Sequence, residues 1–345
     1  MAVAKMCDTD SNHSPIFVVG TPRSGTTLTA KILANHSNLF MPGETHFFDD
    51  IYSLKDDQDG ISDDKLTEIC NRLYDLYARY YEPDDQLRVE KLFSSAHALQ
   101  DEMAECSTYE ELFSSFMSMQ MRYEKKVRWG NNAPRDLFSI DDILEFYPNA
   151  KIIVCVRDVR AFLLSYKGKW KVTGDEHVER LKKLYHPVIT SLLWKASMKL
   201  VPALKKKVPK ENLVIVKYED MVISPEKTVR YICDVIEEDY EPRMLNVMTH
   251  NSSNVPERGG IFSTSVDRWK TDLKPEEIKI SQMLCKKQLY NLGYDLILPD
   301  SSLYKVVMNY LATPYALWRA LDANKEMRGP LLPYVYKRLS ALIRS

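Results

Sequence analysis

Three groups of residues in this 345-residue chain have types and spacings suited to chemistry on an anion. The first is the turn Gly20-Thr21-Pro22-Arg23-Ser24-Gly25-Thr26-Thr27, rich in small residues and carrying one arginine. Unpaired N–H groups at a helix start, backed by the positive end of the helix dipole, hold phosphate-like anions, and an arginine in the same loop adds charged donors. The second group is Arg157 with Ser165 eight positions later, about two helical turns, so that both can face one pocket. The third is Glu44 with His46, a carboxylate and an imidazole that can each accept a proton from a hydroxyl.

The surrounding pattern says what must position these residues. Ile16 to Val19 is apolar and β-branched, the glycines of the turn and Thr26 to Leu28 follow, and Thr29 to Asn35 is compatible with a helix: strand, tight loop, helix. Lys151 to Arg157 is a buried-strand run that leads into a helical Asp158 to Tyr166, placing Arg157 at a strand end. Asn38 to Phe48 reads as a short extended run broken by Pro42 and Gly43, Arg128 to Pro134 as another, and Asn212 to Val216 as a further strand. A helix over Glu176 to Lys206 crosses to that last strand, and Ser224-Pro225 opens a helix to Ile236, with serine as cap and proline in the first turn. Strands alternating with helices predict an α/β fold, a doubly wound parallel sheet with its site at the carboxyl edge.

The kind of anion is narrowed by what the loop lacks. A nucleotide-triphosphate loop places a lysine after its second glycine, on the outer phosphates, and a hydroxyl on magnesium. Gly20 and Gly25 have that spacing, but Thr26 stands where the lysine belongs and the cation is Arg23 instead. Pro22-Arg23-Ser24-Gly25-Thr26-Thr27-Leu28 after a strand resembles the phosphosulfate loop of sulfotransferases that use 3'-phosphoadenosine 5'-phosphosulfate (PAPS). The resemblance covers about Pro15 to Leu298 and implies a P-loop-like sheet flanked by helices, PAPS as co-substrate, 3'-phosphoadenosine 5'-phosphate (PAP) as product and no metal.

By that resemblance Arg23, Ser24, Gly25, Thr26 and Thr27 hold the phosphosulfate, and Arg157 with Ser165 holds the 3'-phosphate. Tyr218, in Lys217-Tyr218-Glu219-Asp220, lies near the adenine, and Arg258, Ser265 and Lys270 belong to a segment that folds over the nucleotide. Glu44-Thr45 lies twenty-one residues beyond Arg23, the spacing that protein-tyrosine sulfotransferases give their catalytic base. The resemblance therefore implies catalytic roles for Glu44 and Arg23, with His46 as the rival base because other sulfotransferases use histidine. Where relatives carry a lysine-threonine-proline ending, this chain has Asn132-Ala133-Pro134; Arg23, Asn132 or the nearby Arg135 is then left to stabilise charge.

Composition bounds the remainder. With 45% hydrophobic and 28% charged residues the chain can bury a sizeable core, and its formal net charge of -1 gives no overall case for nucleic acid. Six scattered cysteines without a C-x-x-C pair point to reduced thiols and, with a polar Met1 to His13 and no spanning apolar stretch, to a cytoplasmic protein. Asp56, Asp57, Asp59, Asp63 and Asp64 read as a solvated helix start, not a metal loop. The expected organisation is a polar tail (1–14), a sulfotransferase domain (15–299) with a helical cap insertion of about 49–127 over the acceptor site, and a C-terminal helical extension (300–345). In the cap, Tyr74, Tyr77, Tyr80, Tyr81, Met117, Met119 and Met121 supply either core or an apolar acceptor pocket. Tyr304 to Leu321 and Leu331 to Ile343 can form amphipathic helices that pack on the domain, on a second copy in a homodimer, or against a membrane surface.

The expected activity is transfer of a sulfuryl group to a hydroxyl on a small metabolite, lipid, polyketide or sugar. A nucleotide binder without catalysis and a magnesium-dependent P-loop kinase stay as alternatives.

Overall fold

A computed structural model of the chain describes residues 14–52, 60–80, 92–168, 178–247 and 260–323. Arg258, Asp56, Asp57, Asp59, Tyr81 and the Leu331 to Ile343 segment lie outside the described residues.

In chain order the elements are β1 (Ile16–Gly20), α1 (Thr26–Ala34), β2 (Leu39–Phe40), a π-helical turn (Phe47–Ile51), α2 (Asp63–Tyr80), α3 (Ala96–Met103), α4 (Tyr109–Tyr123) and β3 (Arg128–Asn132). There follow α5 (Ile140–Phe146), β4 (Lys151–Val156), α6 (Val159–Lys167), α7 (Val178–Leu184), α8 (Pro187–Lys207) and β5 (Leu213–Lys217). The last are α9 (Tyr218–Ile223), α10 (Pro225–Ile236), α11 (Trp269–Asp272), α12 (Pro275–Asn291) and α13 (Leu303–Ala323).

The five strands form one parallel sheet in the order β2-β3-β1-β4-β5. Every residue of β1 is buried. Because side chains alternate across a strand, Phe17 and Val19 enter the core on one face while Ile16 and Val18 enter the core on the other. The second face is covered by α1 and α10 through Ile32, Leu33, Val229 and Ile232, and the first by α4, α6, α8 and α12 through residues such as Phe113, Phe162, Trp194 and Leu289. The sheet is therefore doubly wound. Chain order reverses beside β1, which pairs with β3 on one side and β4 on the other, and such a reversal opens a crevice at the carboxyl ends.

Local differences from the sequence reading have physical reasons. The crossover is two helices, because Pro187 disfavours a helical His186 and instead opens α8. Of the Asn38 to Phe48 run only Leu39 and Phe40 pair as a strand. Ser224 precedes α10, but its side chain makes no capping bond; its carbonyl accepts from Thr228 instead. Between residues 49 and 127, Tyr77, Met117 and Met121 are core residues, and Tyr74 packs against that core.

Candidate functional site

The loop after β1 is shaped by backbone that only certain residues tolerate. Gly20 has φ 152°, and a Cβ there would lie 2.3 Å from the Cys155 carbonyl oxygen. Gly25 has φ 98° at the start of α1, and its Cβ would come within 2.8 Å of the Tyr218 ring. The Ser24 amide donates to the Thr21 carbonyl at 3.0 Å, closing the turn. Ser24 is itself buried, so it shapes the loop from below; the N–H groups of the first turn of α1 are the ones left without helical partners. Arg23 stands at φ 75°, a left-handed conformation that costs a non-glycine residue roughly 1–2 kcal/mol.

That conformation aims the Arg23 side chain at α6. Its Nε donates to Ser165 Oγ at 3.1 Å, and Arg157 Nη1 donates to the Arg23 carbonyl at 3.1 Å. Ser165 is thus bonded to Arg23 and not to Arg157, and the two anion-holding groups read from sequence form one continuous basic wall. Arg157 stacks over the Tyr218 ring at 4.1 Å, the Tyr218 hydroxyl bonds to Ser265 Oγ at 2.9 Å, and Trp194 Nε1 donates to the Arg157 carbonyl at 2.9 Å. Burial, then the charge of Arg157, holds the Arg23 guanidinium below its ordinary value, with Tyr218 acting the other way. Arg157 Nε is buried without a hydrogen-bond partner. Two adjacent guanidiniums with an unsatisfied buried donor make a wall that an anion would stabilise.

Across the cleft the chain turns sharply at His46, φ 50°, and drives Phe47 and Phe48 into the core. Phe47 stacks on Phe113 at 4.2 Å. The adjacent Glu44 and His46 side chains stay in the cleft. His46 Nε2 lies 3.3 Å from Glu44 Oε2, His46 Nδ1 lies 3.2 Å from Asp49 Oδ1, and Arg135 Nη1 lies 3.4 Å from Asp49 Oδ2. The hydrogen bond to Asp49 is the chief cause that raises the His46 value above that of a free imidazole, and burial opposes it. Beneath them Thr45 Oγ1 donates to Asn131 Oδ1 at 2.9 Å, and Asn131 Nδ2 donates to Asp136 Oδ2 at 2.8 Å. Asp136 is fully buried, and burial, reinforced by Asp49 and Glu44, pushes its carboxyl well above the ordinary range.

Arg23, Gly25, Thr26, Thr27, Glu44, His46, Arg157, Ser165, Tyr218 and Ser265 line one cleft of about 880 Å³. Arg135 and Arg268 line it as well. Asn132 does not: it is buried, with Oδ1 unpartnered. Lys270 pairs with Asp267 at 2.8 Å. The sequence reading passed over Asn131, Asp136, Trp194 and Arg268; only Asn131, a polar residue in a strand run, carried any sign. A smaller cavity beside Glu44 is lined by Pro42, Leu73, Leu76, Tyr77, Phe116 and Gln120.

A model of the sulfotransferase family matches residues 15–242. Nodulation protein NoeE of Sinorhizobium fredii is 22% identical over 300 residues, 81% of this chain and 65% of that protein. Protein-tyrosine sulfotransferase A of Caenorhabditis elegans is 24% identical over 239 residues, 67% of this chain and 52% of that one. The chain thus spans less than two thirds of the length of these relatives. The sulfotransferase domain from the Synechococcus PCC 7002 olefin synthase superposes with a TM-score of 0.55 at 19% identity, covering 85% of this chain and 100% of that domain, which is a likeness of fold.

Proposed function

Because the chain belongs to the sulfotransferase family, we propose that it moves a sulfuryl group from PAPS to a hydroxyl of a small-molecule acceptor. The observation that carries this reading is the basic wall of Arg23 and Arg157 facing Glu44 within one cleft. A nucleotide phosphorylated at both ends suits two adjoining guanidiniums, one of which has an unpartnered buried donor.

PAPS supplies a sulfuryl group on a phosphate leaving group. Arg23 and the free amides at the start of α1 hold that phosphate and the charge that gathers on it. Arg157 and Ser165 hold the second phosphate; Ser165 accepts from Arg23 and so keeps its own hydroxyl hydrogen to donate. Tyr218, fixed by Ser265, offers a surface for the base. Glu44 takes the proton of the acceptor hydroxyl. His46 is the weaker candidate for that step, because Asp49 and Glu44 favour its protonated form, which donates and does not accept. Arg135, three positions beyond Asn132, supplies a cation to the cleft. A sulfuryl group carries less charge than a phosphoryl group, so positioning and fixed dipoles can do what metal ions do in kinases.

Buried thiols outside any disulfide at Cys70, Cys155, Cys233 and Cys285 support a reducing, cytoplasmic setting.

Calorimetric titration with PAP, ATP and AMP on the wild type and Arg157→Ala tests the reading. PAP binding that is lost in the variant and absent for AMP is expected. Binding of ATP with magnesium in place of PAP would instead establish the kinase alternative. Binding of PAP with no turnover of any acceptor would leave a nucleotide binder.

A further inference from the structure

The face of α13 turned away from the domain carries large apolar side chains. Val306 seats against Val188 and Ile280, and Ala316 is buried. On the opposite side Tyr304, Leu311, Tyr315 and Trp318 are 71%, 69%, 64% and 60% exposed, with Val307 and Met308 half-exposed among them. These residues recur every three or four positions and so form one stripe along the helix. Tyr315 and Trp318 stack with ring centroids 5.9 Å apart. An exposed stripe of this kind marks an interaction surface.

The charge of the helices that pack beside α13 points to the partner. Helices α7, α8 and α12 pack against α13. Read together, these four helices carry thirteen lysines and arginines against four acidic residues, in a chain whose formal net charge is -1. Two of the four acids, Glu276 and Glu277, are buried, whereas Lys183, Lys199, Lys286 and Lys287 are exposed. A basic layer by itself would suit any polyanion. An apolar stripe bearing tyrosine and tryptophan beside that layer suits a surface that is anionic outside and hydrocarbon just beneath, where basic residues near the plane meet the headgroups. Among the described residues no helix is long and apolar enough to cross a membrane, so the contact is peripheral.

We propose that the outer face of α13 docks on an anionic lipid bilayer, the aromatic stripe entering the interface and the surrounding lysines contacting the headgroups. The proposal is independent of the chemistry in the cleft.

The full chain is sedimented with phosphatidylcholine vesicles and with vesicles of three parts phosphatidylcholine to one of phosphatidylglycerol, in low and high salt, and its mass is measured by light scattering. Partition into the anionic vesicles, weakened by salt and lowered at least about tenfold in Leu311→Glu/Trp318→Glu, is the expected result. Circular dichroism and PAP titration check that the variant is folded. A dimer mass in the wild type that falls to a monomer in the variant, without vesicle binding, would overturn the proposal in favour of a second copy. A monomer that ignores both vesicle types would overturn it in favour of an intramolecular cover.

Discussion

The basic wall of the cleft stands on strand ends, whereas the acidic wall stands on a loop pinned by aromatic rings. Arg23 follows β1, Arg157 follows β4 and Tyr218 follows β5, so their separations are set by the sheet, whose register is fixed by parallel pairing. Glu44 and His46 hang from a turn whose position depends on Phe47 and Phe48 finding Phe113 and Phe146. Strand ends are rigid and suit a cofactor that is always the same. A loop anchored by aromatic packing can change from one protein to another, and in the proposed reaction this is the side that meets the acceptor.

If the two walls divide binding from chemistry, substitutions should separate them. Glu44→Gln should lower turnover by about 10²–10⁴-fold while PAP affinity holds, the size expected for loss of a general base; unchanged turnover would remove Glu44 from the mechanism. Arg157→Ala should weaken PAP by on the order of 10²-fold, since a charge-assisted bond contributes about 1.5–3 kcal/mol and Arg157 also braces the Arg23 carbonyl. Gly25→Ala forces a side chain onto the Tyr218 ring at φ 98° and should cost about tenfold in PAP affinity, read by the same titration, with the fold retained by circular dichroism.

Smaller effects follow from the titrating groups of the acidic wall. Asp136 has its folded value raised above that of the unfolded chain, so the folded state binds more protons between the two values and stability falls as pH rises from about 4 toward the raised value. Asp136→Asn should flatten that decline in urea melts taken across the range; an unchanged slope would show that Asp136 is ionised in the fold. His46 also has a raised folded value, so its contribution is complete below about pH 6.5 and is lost as pH rises through the folded value. His46→Gln should lose that increment and slow turnover only a few-fold, whereas a loss matching that of Glu44→Gln would make the imidazole the base.

Legibility in the sequence followed the same divide. The loop from Gly20 to Thr27 and the pair Arg157 and Ser165 were readable because short spacings and strand-then-helix order determine where those residues go. The bond from Arg23 to Ser165, and not from Arg157, was not readable, since it depends on a left-handed arginine that no propensity favours. Asp136 was hidden for a different reason. An aspartate after a proline looks like solvated turn chemistry, and only the packing of β3 beneath Thr45 makes it a buried acid. Likewise the helix read over Glu176 to Lys206 runs straight through Pro187, because the helical pattern on both sides concealed the break.

The central place of β1 has a consequence during synthesis. Ile16 pairs with Gly130 on one side and Lys151 on the other, so the strand leaves the ribosome long before either partner exists. At about 5–20 residues per second it waits on the order of ten seconds as a bare apolar ribbon with two open edges. For that interval Ile16, Phe17, Val18 and Val19 are a natural landing site for a chaperone, and the nascent chain is at its most vulnerable to aggregation before the cleft exists.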